Sequence, residues 1–164
     1  MNVVSNTSPL TNLAAISRFG LLEQLYGRVF IAEGVWSELN AFGHVWPGRE
    51  EVAAATWVSR HTVRNTPLVG ALRRDLDQGE AETIALALEL EADLVLMDER
   101  EGRHAAQRLG LRTVGVVGLL LDGKQQGLLP EVRHAFDALR IVGFYLSEQV
   151  YRRGLELAGE LEDD

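Results

Sequence analysis

The chain has 164 residues, 46% of them apolar and 24% charged, and no cysteine. That balance is ordinary for a globular protein and excludes wholesale disorder, a collagen-like chain, a disulfide-stapled miniprotein, thiolate zinc sites and cysteine nucleophiles. Lys and Arg number 16 against 24 Asp and Glu, a net charge of −8; this argues against a basic footprint for duplex binding, yet leaves room for carboxylates that hold divalent cations, whose charge inverts the local field.

Short apolar runs alternate with helical periods, the mark of an α/β domain. Asn2-Val3-Val4-Ser5 reads as a first strand. Thr7-Ser8-Pro9 predicts a helix start, with a hydroxyl N-cap and proline at the first helical position, and Leu10, Leu13 and Ala14 give its apolar face. Leu21, Leu22 and Leu25 predict a short helix ending near Gly27, followed by a strand at 28–31 and a third helix near 33–40 carrying Val35, Trp36 and Leu39. Residues 41–49 read as a loop, and mixed helix-like and strand-like pieces follow to about 75.

From Asp77 the pattern is sharper. Asp77-Gln78-Gly79-Glu80 resembles a capping box, and Ala81, Ile84, Ala85 and Leu88 mark a buried face. Leu94-Val95-Leu96-Met97 is a continuous apolar run that suits a strand covered on both faces. A helix over about 101–109 stops at Gly110, and a strand at 112–116 follows. Three helices complete the chain: about 117–126, one starting at Pro130, and one after Ser147 with Val150, Tyr151, Leu155 and Ala158 on one side. Strands near 2–5, 28–31, 93–98 and 112–116 joined by helices predict a three-layer sandwich.

Several familiar motifs fail. Gly118 to Gln125 nearly spells a phosphate-binding loop, but it lacks the Ser/Thr that holds magnesium and its middle is three leucines, so a buried helix is the better reading. Neither GxGxxG nor GxSxG occurs, and His44, His61, His104 and His134 are scattered and read as surface residues. The N-terminal segment has neither a basic nor an apolar leader region, so no signal peptide is expected. The apolar run Thr113–Leu121 is far short of the ~20 residues a membrane helix needs.

Carboxylates at telling places remain. Sites in open parallel sheets gather at the carboxyl ends of strands. Asn6 and Asp98 end two predicted strands, Glu80 opens the helix before the second, and Glu38 lies in the helix after another. Oxygen ligands of this kind suit magnesium or manganese. Each residue also has a plainer reading: Glu80 completes the capping box, Glu82 and Glu38 are solvated helix residues, Asp98 caps the next helix, and Asn6 caps the first or forms an Asx turn. Arg100, Arg103 and Arg108 offer guanidinium forks for RNA phosphate, or a solvated face paired with Glu99 and Glu101. Trp36 is expected in the core, while Trp46 and Trp57 are open to either packing or base stacking.

Five segments carry a family resemblance: Val4-Ser5-Asn6-Thr7-Ser8-Pro9-Leu10, Gly34-Val35-Trp36-Ser37-Glu38-Leu39, Asp77 to Ala87, Ala92 to Arg100 with Gly102-Arg103, and Gly143-Phe144-Tyr145-Leu146-Ser147. In order and spacing the sequence resembles PIN-domain proteins, over nearly the whole chain. The resemblance implies an α/β/α sandwich around a central, mostly parallel sheet: one domain over 1–164 with a C-terminal helical extension at about 130–162. It implies a metal-dependent endoribonuclease that hydrolyses RNA phosphodiesters with Mg2+ or Mn2+, leaving a 5′-phosphate and a 3′-hydroxyl. Carried over, the metal ligands are Asn6, Glu38, Glu80 and Asp98, of which Glu38, Glu80 and Asp98 are catalytic. Glu82 and Ser8 stand in or just behind that set, and Arg100 and Arg103 are the candidates for RNA contact. Many relatives are toxins of VapC type, which implies a small antitoxin, a second copy of the chain and a cytoplasmic location. The departure is Asn6, where the wider family has aspartate. Three readings stay open there: an asparagine native to this branch, a binding module that has lost turnover, or an inactivating substitution.

Overall fold

The computed structural model of the chain describes residues 1–162. Its elements run β1 (Val3–Ser5), α1 (Thr7–Ala15), α2 (Leu21–Tyr26), β2 (Val29–Ala32), α3 (Glu33–Leu39), α4 (Arg49–Ala54), β3 (Val58–His61) and α5 (Thr66–Leu72). Then come α6 (Gln78–Glu89), β4 (Leu94–Leu96), α7 (Arg100–Arg108), β5 (Thr113–Val114), α8 (Val116–Gln125), α9 (Arg133–Ile141) and α10 (Glu148–Leu157). The strands form one all-parallel sheet in the order β3-β2-β1-β4-β5.

Successive strand residues point to opposite faces, and that alternation sorts the core into two layers. Val3, Val29, Ile31 and Leu96 pack with α1, α2, α3 and α8 and with the α9 and α10 residues Phe136, Leu139 and Leu155. Val4, Ala32, Val95 and Met97 pack with α6 and with Val69 and Ala106 of α5 and α7. The result is the α/β/α sandwich expected, and α9 and α10 join the same apolar cluster as the first strand.

The order also fixes the site. The chain moves from β1 to β2 and β3 on one side, then jumps back so that β4 lies on the other side of β1. A parallel sheet opens a crevice at such a reversal, beyond the carboxyl ends of the two strands. Ser5 pairs with Leu96, and the Asn6 N–H donates to the Leu96 carbonyl at 2.9 Å. Asn6 and Asp98 therefore flank the crevice.

Several local expectations change. The first helix starts at Thr7, two residues before Pro9: Asn6, not a hydroxyl, holds the N-cap position, and its side chain makes no capping hydrogen bond. The strand Val58–His61 is an edge strand with little apolar character, paired to β2, and its Arg60 bonds Glu33 and lies 4.5 Å over the Trp36 ring. Such charged edges resist further pairing. Trp57 packs on Phe19, while Trp46 stays partly open beside His44. The helix expected from Pro130 starts at Arg133. Ser147 does cap α10, accepting from the Val150 N–H at 3.1 Å, but Val150 itself faces outward. The near-P-loop lies within the helix α8. Among the described residues no helix is long and apolar enough to cross a membrane.

Candidate active site

Four elements deliver oxygen atoms to the crevice. The end of β1 brings Asn6, which is 3% exposed. Helix α3 brings Glu38 near its C-terminus. The first turn of α6 brings Asp77, Gly79 and Glu80, and the link from β4 to α7 brings Asp98 and Glu99.

The capping box is formed in full: the Glu80 N–H donates to Asp77 Oδ1 at 2.8 Å, and the Asp77 N–H donates to Glu80 Oε2 at 3.2 Å. The cap stops the helix at the site and leaves the Gly79 Cα facing it. A Cβ at position 79 would stand 2.8 Å from Glu38 Oε2, 3.5 Å from Asn6 Oδ1 and 3.6 Å from Asp77 Oδ1. Three oxygens from three elements thus converge on a space that only glycine leaves open.

Asn6 is oriented by Glu99. Its Nδ2 donates to Glu99 Oε2 at 3.2 Å, and Ser8 Oγ donates to Glu99 Oε1. A carboxylate only accepts, so the amide must turn its nitrogen to Glu99 and its oxygen to the crevice. That oxygen is buried without a hydrogen-bond partner. Across the crevice, Thr7 Oγ1 donates to Glu38 Oε2 at 2.7 Å and fixes the second carboxylate.

Crowding raises proton affinity. Glu38 sits above the ordinary carboxylate range because of burial first; the Thr7 hydrogen bond opposes that rise, and repulsion from Asp77 and Glu99 adds to it. Glu80 is raised by burial, then by Asp77, Glu99 and Glu38. Among the described residues neither carboxylate lies within ion-pairing distance of Lys or Arg. Partly buried carboxylates so placed favour a proton or a cation.

Asp98 belongs to the same strand end but faces the other way. Its Oδ1 accepts from the Val116 N–H at 2.8 Å, so it holds the start of α8 rather than capping α7, whose N-cap is Glu99. Its Oδ2 is buried without a hydrogen-bond partner. Burial pushes its carboxyl up to about 6, with Glu99 adding to the rise and the Val116 N–H and Arg103 opposing it.

The predicted residues therefore sort unevenly. Asn6, Glu38 and Glu80 stand together, and Ser8 is behind them on Glu99. Asp98 adjoins through the strand ends. Glu82 accepts from Gln78 at 2.7 Å and lies against Gly34 at the seam between α3 and α6, in the wall of the crevice. Arg103 is half-buried beside Asp98, whereas Arg100 is exposed. Neither forms an ion pair with Glu99 or Glu101 among the described residues. Sequence reasoning passed over Glu99 and gave Asp77 a capping role only. The adjacent pair Asp98-Glu99 at a strand end was the available signal.

A family model described as PIN domain matches residues 2–160. The chain belongs to the PIN-domain family. PIN domains are generally nucleases and usually use divalent metal ions. A comparison with curated proteins returned no match.

Whether this PIN domain suits such an ion depends on its donors. Among the described residues no three Asp, Glu or His side chains converge on one point. The convergence instead combines two carboxylates, Glu38 and Asp77, with the amide oxygen of Asn6. An all-oxygen set, an orphaned amide oxygen and carboxylates without cationic partners fit a hard divalent cation.

Proposed function

We propose that the chain is a metal-dependent endoribonuclease. The observation that carries this is the convergence of Asn6 Oδ1, Glu38 Oε2 and Asp77 Oδ1 on the open face of Gly79, at the point where the sheet order reverses.

Asn6, Glu38 and Asp77 would hold Mg2+ or Mn2+, with Glu80 and Asp98 completing the acidic set. When bound, the ion supplies a water of lowered pKa and neutralises charge on the phosphate. The chain's own residues do the rest. Thr7 and Glu99 keep Glu38 and the Asn6 amide in position. Asp98, raised to about 6 by burial, holds or releases a proton at Oδ2 near neutrality. Arg103, beside it, draws the phosphate backbone toward the strand ends, and the exposed Arg100 extends that path. The resemblance to VapC-type toxins extends the proposal to a small antitoxin, a homodimer and a cytoplasmic site of action.

A second reading, a PIN fold that binds RNA or protein without turnover, is favoured by two observations. Asn6 brings no charge, and Asp98 is already engaged by the Val116 N–H.

Cleavage of a mixed RNA pool decides between them. The protein is expected to cut RNA with manganese and not with EDTA, leaving 5′-phosphate ends, and Glu38→Gln is expected to remove most of that activity. Silence from the unsubstituted protein with manganese, alongside retained RNA binding, favours the second reading. Undiminished cutting by Glu38→Gln removes this site from the chemistry.

A further inference from the structure

The Gly143–Ser147 segment does not take part in the acidic site, yet it lines a cleft that begins there. The cleft has a volume of about 480 Å3, with Asp98, Arg103 and Gly115 on one side and Phe144, Tyr145 and Val150 on the other. Tyr145 is 86% exposed. An aromatic ring that far out of the core stabilises nothing by burial.

The loop that carries it is firmly held. The Phe144 N–H donates to the Leu139 carbonyl at 2.9 Å, and the Phe144 ring packs on the core. The Arg140 Nη2 donates to the Leu146 carbonyl at 3.0 Å, and the guanidinium lies 4.1 Å over the Tyr151 ring. Ser147 then caps α10. Tyr145 is thus an exposed ring on a held backbone, so only its side chain is ordered when something stacks on it.

Charge separates this cleft from the opening on the other side of the site. There, Glu33, Glu38, Asp77 and Glu82 line the wall and no Lys, Arg or His does. Here Arg103 stands beside Asp98. The first opening accepts a polyanion only with a cation bound, whereas the second carries a guanidinium of its own.

We propose that this cleft is a base-binding subsite, in which Tyr145 stacks on one unpaired nucleobase of an RNA strand while Arg103 holds the adjoining phosphate near Asp98. The inference rests on the ribonuclease reading and names the route its substrate takes. Stacking requires a free base face, so the ligand is single-stranded.

The test is binding of a fluorescent single-stranded oligoribonucleotide, in calcium and in EDTA, by the full chain and its variants. Tyr145→Ala is expected to weaken binding by about 5- to 100-fold, with no change in Tm because the side chain is exposed. Tyr145→Phe is expected to bind as the unsubstituted protein does, since the ring stacks without its hydroxyl. Ultraviolet cross-linking of a 5-iodouridine oligonucleotide is expected to label Tyr145 in the tryptic peptide 141–152. Unaltered binding by Tyr145→Ala overturns the subsite and leaves the ribonuclease reading standing. So does duplex RNA that binds as well as single-stranded RNA, or a Tyr145→Phe loss equal to that of alanine. No RNA binding by the unsubstituted protein overturns both readings.

Discussion

Asp98→Asn is expected to make the metal-free protein more stable while removing its cleavage. The Asp98 carboxyl rises from 3.8 to about 6 on folding, mainly through burial. A raised acid works against the fold once ionised. Below pH 3.8 the group is neutral in both states and has no effect. As pH rises through about 6 the penalty reaches its full size, about 3 kcal/mol at about 1.4 kcal/mol per pH unit. Asparagine keeps an oxygen for the Val116 N–H and carries no charge. The variant should therefore gain about 3 kcal/mol at pH 7.5, and only about 1 kcal/mol at pH 4.5. For a chain of this length that is roughly 6–12 °C in Tm at the higher pH. Urea unfolding in EDTA at both pH values measures it. A loss of stability at pH 7.5, or the same gain at both pH values, would refute the reasoning, because it would show that the ionised carboxylate carries no burial penalty.

Other outcomes follow from the same contacts. Gly79→Ala places a methyl 2.8 Å from Glu38 Oε2 in a helix that otherwise favours alanine by about 0.5–1 kcal/mol; thermal stability should hold or rise while manganese affinity by calorimetry falls at least about tenfold, and unchanged affinity would show that the oxygens around Gly79 are not the site. Asn6→Asp should destabilise the metal-free protein by about 1–3 kcal/mol, since it exchanges a charge-assisted hydrogen bond for a carboxylate facing Glu99. Adding Glu99→Gln should restore most of that loss, because the donor and acceptor are then exchanged; two losses that simply add would dissolve the pair. Glu160 accepts from Lys124 Nζ at 2.8 Å and from the Val132 and Arg133 N–H groups, tying the C-terminal segment to α8 and α9. Burial alone would raise its carboxyl, but those donors hold it below 4.5. Its stabilisation is present above that pH and is lost as pH falls through the folded value. Glu160→Ala should cost about 1–3 kcal/mol near neutrality, with less difference in acid; a flat difference from pH 7 to pH 3 would contradict this.

What the sequence determined by itself is what depends on neighbours along the chain. The apolar runs Val3-Val4 and Leu94 to Met97 declared buried parallel strands because no polar position interrupts them, and Asp77-Gln78-Gly79-Glu80 declared a helix start because a capping box is closed within four residues. Ser147 announced α10 by a local cap as well, its hydroxyl accepting from the Val150 N–H. Where the signal is not local, the reading fell short. Val58–His61 is a strand because β2 lies beside it, not because its own residues alternate. A hydroxyl before Pro9 looked like the cap because hydroxyls cap well, but Asn6 holds that position while its amide is drawn away by a residue 93 positions on.

The site divides in the same way. That acidic residues end the strands and open α6 could be read directly, and the order of those segments pointed to the PIN family. Which carboxylates share one space could not. The sheet order 3-2-1-4-5 decides that, by setting β4 beside β1 and turning Glu99 to the Asn6 amide, while the side-chain direction at the strand end sends Asp98 to the Val116 N–H instead. Periodicity tells which face of an element is buried. Only the packed sheet tells which oxygen atoms meet.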